Sequence, residues 1–140
     1  MVYALDTNIV SFLFRPKQNQ DVVRRFMIET QINDYVIPPL AHYETLWYLL
    51  RKKAEAQLCI FNDFYKNSLV RINMNEAEFI KAAEIRVYLE EKGKPIDDGD
   101  IFIAAYCIVN DYTLVTHNTR HFEIIKELKL VNWKSDGYIE

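Results

Sequence analysis

Alternation of strand-length and helix-length segments constrains this chain most. Short apolar runs, VYAL (2–5), YVIP (35–38), SLVRI (68–72), the TLV of DYTLVTHN (111–118) and KLVNW (129–133), are separated by stretches with apolar residues at helical spacing. Strands that alternate with helices pair mainly in parallel, and the crossing helices cover both faces of the sheet. The expected fold is therefore α/β, a three-layer α/β/α sandwich around a mainly parallel central sheet. No linker, repeat or low-complexity tract interrupts residues 1–140, which read as a single domain.

Local signals set the helix boundaries. TNIVSFLF follows Asp6 with Ile9, Phe12 and Leu13 in helical register and is stopped by Pro16. Residues 20–31 resume with Val22, Phe26 and Met27 on one side. The Pro38-Pro39 pair starts a helix reaching about Lys53, because proline is tolerated in the first turn, and its expected inward stripe is Leu40, Tyr43, Trp47 and Leu50. Residues 54–66 direct Leu58, Phe61 and Tyr65 inward. A long helix over 76–92 carries Phe79, Ile80, Ala83, Val87 and Leu89, with Gly93 as its stop. TRHFEIIKEL (119–128) reads as a last short helix.

Half of the residues are hydrophobic, and the 140-residue length is sufficient for a real core. No basic region precedes the first apolar run and Asp6 interrupts it, so no secretory signal is expected. The longest uncharged apolar run, IFIAAYCIV (101–109), is too short to span a bilayer. A soluble, cytoplasmic protein without a membrane partner is expected. Cys59 and Cys107 have no ligand or disulfide spacing and read as buried small hydrophobes.

Seventeen Lys and Arg against twenty Asp and Glu give a net charge of −3, which argues against holding nucleic acid by bulk electrostatics. A local basic rim is compatible with that balance. Arg24, Arg25, the Arg51-Lys52-Lys53 run, Lys92, Lys94 and Arg120 are its candidates.

Against this background IDDGDIFIAA (96–105) stands out. Acids in a helix's first turn offset its dipole and act as caps, which accounts for Asp98 and in part for Asp97. Asp97 and Asp100, however, lie three apart on one helical face. In open parallel sheets, sites form beyond the carboxyl ends of strands, and both Asp6 and the Thr116–Asn118 stretch occupy such ends. If those ends converge, Asp6, Asp97 or Asp100, and Asn118 approach one another, and Glu44 reaches the same cleft from its helix. Carboxylates that close repel one another and bind protons more tightly unless a cation compensates them. Oxygen ligands without cysteine or histidine suit Mg²⁺ or Mn²⁺. Such a cation acidifies water and neutralises charge developing on a phosphate.

The segments YALDTNIVSFL, AHYETLWYL, DDGDIFIAAYCIVN, TLVTHNTRHFEII and LKLVNW together resemble the PIN domain and, within it, the VapC-type ribonuclease toxins of bacterial toxin–antitoxin pairs. The resemblance covers nearly the whole chain. It implies an acidic metal site of Asp6, Glu44 and Asp100, with Asp97 as an additional acid beside it. The position after the DYTLV strand is often aspartate in PIN domains and is Asn118 here, which orients water or substrate without adding charge and leaves open whether one metal binds or two. Thr7, Asn8, Thr116 and Thr119 match positions that hydrogen-bond around the carboxylates. The implied activity is Mg²⁺-dependent endoribonuclease cleavage of structured RNA such as transfer RNA, with Mn²⁺ as a substitute, in a homodimer restrained by a VapB-like antitoxin.

His117 and Arg120, close to Asn118, are expected to touch RNA phosphate. His42, His117 and His121 are not needed as general bases where a cation activates water. Asp98 and Asp97 are assigned mainly to the helix terminus, Asp100 to the metal, and Gly99 to a tight backbone entry. Two other readings remain. A phosphatase with Asp6 as nucleophile would want a second acid at position 8, which is Asn. A non-catalytic PIN-fold module binding RNA or protein would be expected to have lost one of Asp6, Glu44 and Asp100, and all are present.

Overall fold

In the computed structural model, which describes residues 1–69 and 72–134, all paired strands run parallel. They are β1 (Val2–Leu5), β2 (Asp34–Val36), β3 (Thr113–Val115) and β4 (Lys129–Val131), in spatial order β2-β1-β3-β4. β1 is central, aligning Tyr3 with Tyr35 on one side and Leu5 with Val115 on the other. Central parallel strands are covered on both faces and need continuous apolar sequence, and Tyr3, Ala4 and Leu5 are all buried. The chain steps from β1 to β2 in one direction and from β2 back past β1 to β3 in the other. Right-handed crossovers in opposite directions lie on opposite faces, giving the α/β/α layering and a switch point between β1 and β3.

The helices are α1 (Thr7–Leu13), α2 (Gln20–Glu29), α3 (Pro39–Arg51), α4 (Glu55–Lys66), α5 (Glu76–Glu91), α6 (Asp98–Asn110) and α7 (Thr119–Phe122). Pro38 and Pro39 begin α3, where a fixed φ is pre-organised and a missing N–H costs nothing. A capping box begins α5: Asn75 accepts from the Glu78 N–H and Glu78 accepts from the Asn75 N–H. Gly93, at φ 68, stops that helix as expected.

Several sequence expectations are corrected by packing. α3 buries Ala41, Thr45 and Leu49 rather than the bulkier line, and Tyr43, Trp47 and Leu50 are exposed. The small Ala41 and Thr45, one turn apart, let the helix approach its neighbours closely, which turns the aromatic line outward. α5 buries Glu78, Ala82, Ile85 and Leu89. Phe79, Ile80, Ala83 and Val87 are exposed. Glu78 points inward because its carboxylate also accepts from the Asn110 side chain on α6. Met27 is exposed, whereas Val22 is buried and Phe26 packs on Tyr35 and Phe64. Cys107 is buried but Cys59, on the outer side of α4, is exposed.

The segment SLVRI lies partly outside the described residues. Its described members form no strand, although the Leu69 N–H donates to the Tyr35 carbonyl at 2.8 Å. The expected helix over 119–128 is shorter: α7 ends at Phe122, and single turns closed by Ile125 and Leu128 N–H groups lead into β4. Among the described residues no helix is long and apolar enough to cross a membrane.

Candidate active site

β1 and β3 end side by side, and the Asp6 N–H continues their ladder by donating to the Val115 carbonyl at 3.0 Å. Asp6 then turns the chain into α1 as its N-cap, with one carboxylate oxygen accepting the Thr7 N–H at 2.8 Å. The other accepts the Thr116 hydroxyl at 2.7 Å. Thr116 is fully buried beneath it, and its oxygen accepts the Asn118 N–H at 3.0 Å. Asn8 ties the two strand ends together, accepting the His117 N–H at 3.1 Å and approaching the Thr116 hydroxyl at 3.4 Å. These bonds fix the Asp6 carboxylate in one orientation.

Glu44, on α3, reaches this point from the side and accepts the Thr7 hydroxyl in a short hydrogen bond. Asp97 and Asp100 arrive from the start of α6. A Cβ on Gly99 would stand 3.2 Å from Glu44 Oε2, so glycine here makes room for the glutamate between α3 and α6. Asp97 is the N-cap by backbone position, yet its side chain makes no capping bond and lines the cavity. Its backbone thus stands at the helix terminus as expected, while its side chain lies with the other acids of the cavity rather than capping the helix. Asp98 turns away and pairs with Arg86 at 3.4 Å.

Asp6, Thr7, Asn8, Glu44, Asp97, Asp100 and Asn118 therefore line one cavity of about 510 Å³. Burial, reinforced by the charges of Asp100 and Glu44, raises the Asp6 pKa from its ordinary 3.8 to about 6, against the opposing bonds from Thr116 and Thr7. Burial and the Asp6 charge also push the Cys107 thiol upward. The arrangement is an acidic pocket in which a buried carboxylate faces further acids from α3 and α6. Among the described residues no three carboxylates, imidazoles or thiols already converge into a metal cage. Spaced, oxygen-rich donors of this kind fit a cation that retains much of its water, as Mg²⁺ does, better than zinc, which favours cysteine and histidine ligands in a tight tetrahedral set.

Other candidates lie elsewhere. Thr119, His117 and Arg120 are outside the described lining of the cavity. The His117 ring packs edge-on against Phe12 with centroids 5.7 Å apart, and His42 packs edge-on against Tyr65 with centroids 4.0 Å apart. Residues not assigned to the site from sequence enter instead, among them His121, set aside as a base, and Trp47, expected in the core. Arg15 and Ser11 line the cavity and hydrogen-bond to one another at 3.2 Å. His121 Nδ1 sits 3.2 Å from Asp100 Oδ2. Trp47 and Tyr48 form part of the wall. Helical counting carries the missed signal: Ser11 and Arg15 follow Asn8 at i+3 and i+7, and Trp47 and Tyr48 follow Glu44 at i+3 and i+4.

The PIN domain family model matches residues 3–128. Ribonuclease VapC2 of Rickettsia felis is 29% identical over 133 residues, spanning 95% of this chain and 98% of that protein. Ribonuclease VapC1 of Haemophilus influenzae is 24% identical over 143 residues, spanning 95% and 98%. Among solved structures, VapBC2 from Rickettsia felis bound to a promoter DNA fragment superposes with a TM-score of 0.84 at 28% identity, over 96% of this chain and 100% of that one. DNA-bound VapBC from Salmonella typhimurium gives a TM-score of 0.82 at 25% identity, over 95% and 98%. With its parallel sheet, its acidic strand-end cavity and a family match spanning nearly its full length, the chain belongs to the PIN domain family.

Proposed function

We propose that this chain is a divalent-metal-dependent endoribonuclease toxin that hydrolyses phosphodiester bonds in structured RNA such as transfer RNA, and that a cognate VapB-like antitoxin restrains it. The observation that carries this reading is the buried Asp6 carboxylate, held between two threonines and facing the charges of Glu44 and Asp100. Such a pocket is electrostatically incomplete without a cation. Support for the reaction comes from the names of the relatives, ribonucleases over nearly their full length. Support for the partner comes from the solved VapBC assemblies, which pair a chain of this fold with another protein.

In this reading Asp6, Glu44 and Asp100 hold Mg²⁺, or Mn²⁺ in its place. When bound, the cation acidifies water and offsets charge building on the phosphate. Thr116 and Thr7 orient Asp6, and the Thr7 hydroxyl orients Glu44 as well. Asp97 adds negative charge beside Asp100. Asn118, at the exposed side of the cavity, orients water or substrate. Arg15 faces the phosphate chain from the α1 side and supplies the positive charge that the pocket floor lacks. A covalent role for Asp6 is disfavoured because both its oxygens are already hydrogen-bonded and position 8 is Asn, occupied with Thr116 and His117. Each member of the expected homodimer carries one such pocket.

The test is cleavage of total cellular RNA by antitoxin-free protein with Mg²⁺, with chelator, and with Asp6→Ala, mapping new ends by sequencing. Discrete metal-dependent ends that vanish in the variant support the reading. Metal-independent or mutant-insensitive ends would remove it.

A further inference from the structure

We infer that Trp47 and Tyr48 form a base-stacking wall that holds an unpaired nucleotide flanking the scissile bond, with Arg51 and Lys52 as its phosphate contacts. This rests on the ribonuclease reading of the adjoining pocket.

Trp47 and Tyr48 are 52% and 46% exposed, although both line the cavity that contains the carboxylates. Half-exposed aromatic rings beside a pocket offer faces on which a base can stack. The other tryptophan, Trp133, is buried at 4% exposure and packs on Tyr3, as a core residue does. The Arg51 guanidinium lies 4.2 Å from the Trp47 ring centroid and 5.9 Å from that of Tyr48. Lys52 Nζ lies 5.6 Å from the Tyr48 centroid. Each aromatic thus carries its own cation, the combination by which single-stranded nucleic acid is held: bases stack on rings while neighbouring cations meet the backbone.

The position along α3 also suits a flanking nucleotide. Trp47 and Tyr48 follow Glu44 by three and four residues, about 5 Å along the axis, and Arg51 by seven, about 10 Å, so the rings and then the cations step away from the carboxylates. The overall charge of −3 provides no general attraction for RNA, and the Arg51–Lys52 pair supplies a local one where the carboxylates would not be neutralised by it. Stacking requires an unpaired base. The substrate class is therefore RNA cut in a loop, bulge or single-stranded junction rather than within a continuous helix.

The experiment uses full-length protein in chelator, which prevents turnover, and an unstructured oligoribonucleotide of about twelve nucleotides. RNA should quench the tryptophan emission of the wild type, with Trp133 left as a buried background. Trp47→Ala should weaken RNA binding roughly 5- to 150-fold, the range for loss of one stacked base, while Trp47→Phe stays within about threefold. Arg51→Ala should lower the slope of log affinity against log salt by about 0.7, whereas Trp47→Ala leaves that slope unchanged. In Mg²⁺, Trp47→Ala should raise KM with kcat retained at saturation. Unchanged RNA binding in Trp47→Ala overturns the inference, and weakened antitoxin binding alongside it would make this face a protein interface instead. Equal losses in Trp47→Ala and Trp47→Phe also overturn it, since a phenyl ring preserves stacking. RNA binding that depends on Trp47 in a protein with no metal-dependent cleavage would sink the nuclease reading and leave the stacking wall standing.

Discussion

Asp6 shows how one side chain serves two masters, capping α1 and closing a buried acidic pocket. Its folded-state pKa of about 6 lies above the ordinary 3.8, so the metal-free fold binds this proton more tightly than the unfolded chain does. The associated stability is present below pH 4 and is lost as pH rises through about 6, by roughly 2–3 kcal/mol. Urea unfolding in chelator should reveal that loss between pH 4 and 7.5 in the wild type and a smaller one in Asp6→Asn. Equal losses in both proteins would mean that Asp6 is not the group responsible. Asp100 and Asp98 divide along similar lines. If Asp100 holds the cation as proposed, Asp100→Asn should reduce cleavage on the order of 100-fold or more. Asp98, exposed and paired with Arg86, should tolerate Asn with nearly full activity, and matched kcat/KM measurements would expose any failure of that contrast.

α3 and α6 meet at Gly99, and their separation is set by a missing side chain. Gly99→Ala ought to favour the first turn of α6 by up to about 1 kcal/mol on propensity alone. The added methyl, 3.2 Å from Glu44 Oε2, must displace a carboxylate already bound to Thr7. The expected outcome is a Tm near that of the wild type with activity reduced about tenfold, the scale of disturbing a ligand's support. A parallel fall in both would point to general unfolding. The start of α5 offers the opposite case. Asn75→Ala breaks a capping box remote from the cavity and should cost about 1 kcal/mol in urea unfolding, with kcat/KM unchanged.

Across the whole molecule, the fold gathers acidic side chains from the end of β1, α3 and the start of α6 beside the loop after β3, so the cation site proposed above would form only when all of these are docked. Binding to the native state alone adds stability, about 2.7 kcal/mol at a hundredfold excess over Kd. Thermal unfolding should therefore shift upward with Mg²⁺ in the wild type, return to baseline with chelator, and respond weakly in Asp6→Asn. A shift of equal size in the variant would locate the cation elsewhere.

Local chemistry by itself determined a good deal. Alternating apolar runs dictated a parallel sheet, proline and glycine marked the ends of α3 and α5, strand-end placement brought Asp6, Glu44 and Asp97 or Asp100 together as candidates, and the resemblance to the PIN domain singled out Asp6, Glu44 and Asp100. Tertiary packing alone decided which side of each helix faced inward. On α3 the line of Ala41, Thr45 and Leu49 was buried and the aromatic line was not, and on α5 a glutamate went inside while Phe79 stayed out. Apolar periodicity reports how much surface a helix can bury, but not how closely a neighbour must approach. Close approach favours small side chains, and a buried carboxylate is tolerated where Asn110 and a helix terminus satisfy it. The same packing turned Arg15, His121, Trp47 and Tyr48 toward the cavity, a juxtaposition that arises only when helices distant in sequence share one sheet end.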